Sequence, residues 1–237
     1  VRRLADKTQV FPLDKNDSVR NRLTPSYEVS NLARSFGTGL CYSDSSIFNG
    51  VEDACRDVPS LLAAIGLVHN LGNPPFGHQG EAAIQHWFNN NQKCIMNSEK
   101  ASPNELELYA DFQLFEGNAQ GFRLITRLQL LSDTYGLNLT YATLSSMMKY
   151  PISSKELDKN ITAKKKHGYF RSEEKIAQDV LDVVGLQPGK RSPFAYIMEA
   201  CDDIAYVVLD AEDSVKKGLA SFADLMAYLH HHGKQDK

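Results

Sequence analysis

Apolar residues recur along this chain at the 3.6-residue spacing of an amphipathic helix, while sustained apolar/polar alternation is almost absent. That periodicity constrains the fold more than any other feature. It predicts helices over 24–36, 61–71, 80–89, 118–132, 141–150, 173–184, 193–217 and 221–231. Tyr27, Val29, Leu32 and Ala33 mark the inner face of the first, where Thr24 reads as N-cap and Pro25 as the first helical residue. In the third, Ala82, Ala83, Ile84, Trp87 and Phe88 are expected to pack inward. The stretch 193–217 is apolar on most faces, which predicts burial of its middle on all sides. The best strand candidate is the short run Lys7-Thr8-Gln9-Val10-Phe11. No internal repeat is present, and 158–167 is a lysine-rich, loop-like stretch. The expected architecture is all-α, a single domain over 1–237.

At 237 residues the chain is long enough for one good core or two small ones. A net charge of −3 argues against a protein built around a nucleic-acid backbone, although a local basic patch is compatible with it. Cys41, Cys55, Cys94 and Cys201 show no C-x-x-C spacing and read as reduced thiols of a cytoplasmic protein, mostly packed in the core. No apolar run approaches the roughly 20 residues that span a bilayer, and no signal-peptide pattern is present, so no membrane partner is expected. The chain begins with Val1 and stops soon after a helical pattern, which suggests a piece of a longer protein. His230-His231-His232 reads as a solvated helix end rather than a metal site.

Two constellations could carry chemistry. In 67–81 an apolar helix runs into His69, breaks in the loop Gly72-Asn73-Pro74-Pro75-Phe76-Gly77, and restarts near His78 and Glu81. Stiff Gly/Pro loops aim side chains in fixed directions. His69, His78 and Glu81 therefore form a candidate metal or acid–base site; the alternative is that His69 is a core histidine with a satisfied ring. In the second, Asp202, Tyr206 and Asp210 recur every four residues and share one face of an apolar helix. Carboxylates there need hydrogen bonds, a salt bridge or a bound cation.

Several blocks together resemble one family. These are Lys7-Thr8-Gln9-Val10-Phe11-Pro12-Leu13, Val19-Arg20-Asn21-Arg22-Leu23-Thr24, GNPPFGHQGE at 72–81, FEGNAQ at 115–120 and MEACDDIAYVVLDAED at 198–213. In this order they resemble the bacterial dGTPase family of the HD-domain superfamily. The resemblance implies an all-α HD-domain bundle that hydrolyses a deoxynucleoside triphosphate to the deoxynucleoside and triphosphate. It also implies a divalent metal, Mg or Mn, held by one His, a His-Asp pair and a distant Asp. Carried over by position, the metal set falls on His69, Asn70 and Asp202, and the acid–base residues on His78 and Glu81. Substrate contacts fall on Gln9 and Val10 near the sugar and base, on Tyr206 and Asp210 at the deoxyribose, and on Lys149 and Tyr150 near the triphosphate, with Lys165 or Lys166 in a similar role. A homo-oligomer is also implied, and single-stranded nucleic acid is admitted as an effector. The GNPPFGHQGE and FEGNAQ blocks fit a phosphodiesterase or phosphatase of the wider superfamily less well.

Two positions depart from the pattern. The family's Arg-Leu-Thr-His-Ser is Arg22-Leu23-Thr24-Pro25-Ser26 here, and its His-Asp pair is His69-Asn70. Proline offers no side-chain ligand, and a neutral amide oxygen binds such cations more weakly than a carboxylate. The expectation is a retained scaffold with weakened or lost metal affinity, either an impaired hydrolase or a non-catalytic dNTP-binding regulatory paralogue.

Overall fold

A computed structural model describes residues 2–7, 21–43, 46–96, 101–129 and 134–232. Ten α-helices are described: α1 (Leu23–Ser43), α2 (Ala54–Val68), α3 (His78–Asn90), the single-turn α4 (Gln92–Ile95), α5 (Pro103–Gln113), α6 (Gly117–Arg123), α7 (Tyr141–Met147), α8 (Glu174–Val183), α9 (Pro193–Lys216) and α10 (Phe222–His232). Short 3₁₀ turns complete the described residues, together with a π-helical turn, Leu124–Leu128, that continues α6. No strand occurs among them, so the fold is all-α. The strand candidate at 7–11 lies, apart from Lys7, outside the described residues.

α1 and α2 form the antiparallel pair on which the site is built. Gly37 of α1 lies against Pro59 and Leu62 of α2, while Gly66 of α2 lies against Val29 and Ser30 of α1. A side chain at either glycine would meet the facing helix at 2.8–2.9 Å, so glycine sets how closely the two approach. α9 crosses this pair, and Val29, Ala33, Val58, Leu62, Ile65, Met198 and Cys201 close a buried core between the three. Val29, Val58, Leu62, Ile65 and Met198 each contribute roughly 1.5–3 kcal/mol on burial. A second core joins Leu4, Leu71, Phe122, Ile125, Leu144, Met148, Tyr169, Val180 and Leu181 under α7 and α8. Phe115, Ala119 and Phe170 form a third, flanked by the stacked rings of Phe88, Phe112 and Phe170.

Several expectations are corrected here. α1 starts at Leu23, whose backbone N–H donates to Asn21 Oδ1 at 3.0 Å, so Thr24 is not the cap. Pro25 is the third helical residue, still within the first turn, where a missing N–H costs nothing. In α3 only Glu81 is buried; Ala82, Ala83 and Trp87 face solvent, and Ile84 and Phe88 are half-buried. The middle of α9 is not enclosed: burial stops at Cys201, and Ile204, Tyr206, Val207 and Val208 are exposed. Two of the four free cysteines, Cys55 and Cys94, are also exposed. The histidine triplet ends α10 in exposed positions. No helix among the described residues is long and apolar enough to cross a membrane.

Candidate functional site

The loop between α2 and α3 organises the site. α2 ends at Val68, and Lys7 Nζ, itself buried, donates to the carbonyls of Leu71 and Asn73 just beyond. The loop then passes so close to α6 that a Cβ at Gly72 would lie 2.0 Å from the Gly117 carbonyl oxygen and 2.1 Å from the Gly121 nitrogen. At its far end Phe76 takes a φ of 65°, a left-handed conformation that a bulky residue rarely adopts, and Gly77 follows with φ 55° and ψ −125°. This reversal starts α3 at His78. His78 Nδ1 is 2.8 Å from Glu81 Oε2, one helical turn on. Glu81 Oε1 accepts the backbone N–H of Gly117 at 2.9 Å. Lys166 Nζ lies 3.6 Å from Glu81 and 2.9 Å from Glu116. Burial works against the Lys166 charge, but Glu116 and Glu81 outweigh it and raise its pKa. A side chain at Gly117 would sit 2.4 Å from Asn73 Oδ1 and 2.8 Å from Glu81 Oε1. The block FEGNAQ thus builds the floor beneath the His78–Glu81 pair.

On α9, Asp202, Tyr206 and Asp210 line one cleft together with Pro25, Val29 and Asn70. The enclosed part is only about 20 Å³, room for one water-sized group, so a larger ligand must lie across its open face. A roomier cavity of about 570 Å³, between Ile125, Tyr141, Leu144 and Ile176, shares none of the candidate residues. Tyr206 is hydrogen-bonded to Asp210, which raises the pKa of its phenol. Asp202 Oδ1 is 3.2 Å from His69 Nε2. Burial pushes the Asp202 carboxyl up, but the hydrogen bond and charge of His69, with Lys149 and Arg22, leave it below its ordinary value.

The resemblance implies a divalent cation between His69, Asn70 and Asp202, and the surrounding bonds test whether one fits. His69 Nδ1 is 2.5 Å from the Gly66 carbonyl, which can only accept, so Nδ1 carries a proton. Asn70 Oδ1 accepts from Asn73 Nδ2 at 2.7 Å and faces Arg22 Nη1 at 3.5 Å. That orientation turns the Asn70 amide nitrogen onto His69 Nε2 at 2.7 Å. If Nε2 is unprotonated, its lone pair receives the Asn70 N–H; if it is protonated for Asp202, no lone pair remains. Pro25 occupies the wall of the cleft without a donor atom. Among the described residues no group of three or more His, Cys, Asp or Glu is placed to hold a metal. The residues present do not fit the implied cation.

The remaining sequence candidates divide. Lys149 Nζ is 2.7 Å from Glu199 and 5.9 Å from the Tyr150 ring centre, and Arg191 lies over the same ring at 5.2 Å. Lys165 is exposed, while Lys166 belongs to the Glu81 cluster. Gln9 and Val10 lie outside the described residues. The chemistry-based reading of the sequence passed over Arg22, Lys7, Gly117 and Arg191. Arg22 is buried between Asn70 and Gly77, its Nε without a partner. Burial lowers its pKa although Glu81 and Asp202 pull the other way, so its charge is felt at both ends of the loop.

Comparison with known proteins bears on this arrangement. A Listeria monocytogenes protein named deoxyguanosinetriphosphate triphosphohydrolase-like is 42% identical over 95% of this chain and 49% of its own length. A probable deoxyguanosinetriphosphate triphosphohydrolase of Pseudomonas aeruginosa is 39% identical over 95% of this chain and 46% of its own. The deoxyguanosinetriphosphate triphosphohydrolase of Salmonella typhimurium is 35% identical over 98% of this chain and 50% of its own. Over nearly its whole length the chain is similar to proteins that carry this name. It spans about half the length of the curated relatives it matches. No family model matches the chain. The departures from the resemblance noted in the sequence lie around Pro25 and Asn70, whereas the neighbouring Glu81 is held by His78, the Gly117 N–H and Lys166.

Proposed function

We propose that this chain forms the nucleotide-facing domain of a deoxynucleoside triphosphate triphosphohydrolase, with hydrolysis impaired by Pro25 and Asn70. The observation that carries the reading is the His78–Glu81 pair. Glu81 is fixed by the Gly117 N–H, and His78 projects its ring almost wholly into solvent, 84% exposed. With Nδ1 engaged by Glu81, Nε2 of His78 is free to exchange a proton. Attack of water on the α-phosphorus would break its bond to O5′, and His78 would donate the proton that O5′ needs to leave. Asp210 and Tyr206 offer a carboxylate and a phenol to the deoxyribose hydroxyl, and Lys149 offers a cation to the phosphates once released from Glu199. The dGTP preference comes from the names of the relatives.

The decisive experiment restores both positions, Pro25→His with Asn70→Asp, and assays triphosphate release from each dNTP with Mg²⁺ or Mn²⁺. Release by the double variant, well above that of the unsubstituted chain, is expected. Absence of release from every dNTP, together with absence of dNTP binding, would overturn the reading. The substituted positions also favour a second reading of the same residues, as a non-catalytic dNTP-binding protein. It expects dNTP binding without turnover, and is discarded if the unsubstituted chain releases triphosphate.

A further inference from the structure

We infer that the place between His69, Asn70 and Asp202 does not take a divalent cation in this chain, and that the buried Arg22 guanidinium supplies the positive charge instead, so that a nucleoside triphosphate binds without metal. This rests on the dNTP-site reading above. Three observations carry it. Of the atoms that would face a cation, only the Asp202 carboxylate, 3.2 Å from His69, stays open: Asn70 Oδ1 is engaged by Asn73 and Arg22, His69 Nε2 by Asn70 or by its own proton, and the Pro25 side chain has no donor atom. Arg22 is only 9% exposed, and its Nε has no hydrogen-bond partner. No carboxylate among the described residues lies within ion-pair distance of it; its guanidinium donates instead to the neutral Oδ1 of Asn70, at 3.5 Å. A carboxylate at position 70 would neutralise Arg22, whereas the amide leaves a fixed, buried positive charge beside the cleft. Lys7, buried on the loop carbonyls, adds a second.

A buried cation is screened little by salt and water, so its field reaches an anion at the mouth of the cleft as well as the carboxylates of Glu81 and Asp202. The same field repels a divalent ion. Arg22 is thus a positioning residue that acts through its charge, distinct from groups that touch the nucleotide.

Calorimetry on the chain tests this with Mn²⁺ alone, and with dGTP and inorganic triphosphate in EDTA or in Mn²⁺. Mn²⁺ alone should give no saturable binding in the micromolar range. The affinity for dGTP should change by no more than about twofold between EDTA and Mn²⁺. Arg22→Met should weaken dGTP binding about tenfold or more, and Arg22→Lys should restore most of it. Pro25→His with Asn70→Asp should gain Mn²⁺ binding, a readout that does not depend on Arg22 variants folding. Micromolar Mn²⁺ binding to the unsubstituted chain that is lost in Asp202→Ala would overturn the inference. So would dGTP binding that EDTA abolishes, and in both cases the nucleotide-site reading would stand. Failure of dGTP and inorganic triphosphate to bind under either condition would sink the nucleotide-site reading itself, and the inference with it.

Discussion

The loop between α2 and α3 has two ends that differ in what holds them. At the α3 end, His78 and Glu81 are tied to the backbone N–H of Gly117 and to Lys166, and Lys166 is tied to Glu116. At the α2 end, His69, Asn70 and Asp202 hold one another through a chain of amide and imidazole contacts next to Arg22. The first end pairs an exposed imidazole with an anchored carboxylate. The second fills, with amide and imidazole hydrogen bonds, the Asp202 carboxylate and a guanidinium, the space where the sequence resemblance implies a cation. The difference teaches that the two ends of this loop are held by different kinds of protein group. Both ends are anchored to main-chain groups, the Gly66 carbonyl and the Gly117 amide, so ligands can change without unfolding the loop.

The comparison breaks most severely if the two ends are uncoupled from α6. Gly72→Ala places a Cβ against the Gly117 carbonyl and the Gly121 nitrogen, both backbone atoms that no rotamer change can move. A loss of about 3 kcal/mol or more in denaturant unfolding is expected, because either the loop or α6 must shift. The His78–Glu81 contact should be lost with it. A cost below about 1 kcal/mol would show that the approach of loop and helix is looser than described.

Next in size is the pH response of Lys7, which anchors the α2 end. Burial, with the charges of Arg3 and Arg22, lowers its pKa from 10.5 to about 8. A depressed lysine pKa means that the charged form costs the folded state. That cost is fully present below pH 8 and is relieved as pH rises from about 8 towards 10.5, where the unfolded chain binds more protons than the folded one. Stability of the unsubstituted chain should therefore rise across that window, relative to Lys7→Met, by up to about 3 kcal/mol. Parallel pH profiles for the two chains would show that Lys7 is solvated.

How much of this was legible in the sequence differs between the ends as well. His78–Glu81 and Asp202–Tyr206–Asp210 are separations of three and four residues, which one helix resolves into neighbours without knowledge of the fold. Eight of the ten helices follow from periodicity for the same reason, whereas α4 and α5 are not expected from it. Gly117 beneath Glu81, Lys7 beneath Leu71 and Arg22 beside Asn70 are separated by 36, 64 and 48 residues, and no local pattern pairs them. The misjudged faces of α3 and α9 have a different cause. Apolar side chains such as Trp87, Val207 and Val208 announce burial, but burial also needs a facing element, and none of the described helices covers them.

A smaller effect should sharpen the α3 end alone. In Glu81→Gln the amide oxygen can still accept the Gly117 N–H, but the charge facing His78 and Lys166 is removed. Lys166 keeps Glu116. A destabilisation of about 1–2 kcal/mol is expected, with triphosphate release by the Pro25→His, Asn70→Asp chain strongly reduced and dGTP affinity little changed. Equal losses in affinity and turnover would show that Glu81 supports the whole pocket rather than His78.

The least costly substitution separates stability from chemistry. The His78 side chain is 84% exposed, and its one partner, Glu81, retains the Gly117 N–H and Lys166 without it. His78→Ala removes little buried area and strands no buried donor, so the unfolding free energy should move by no more than about 0.5 kcal/mol. If His78 gives O5′ its proton, the same substitution in the Pro25→His, Asn70→Asp chain should lower turnover about a hundredfold or more while dGTP binding persists. The loss should shrink for a substrate whose leaving group needs no proton, such as a p-nitrophenyl ester at the α-phosphate. Equal losses for both substrates would move His78 from proton donor to a role in placing water, and would make the α3 end a positioning device like the α2 end.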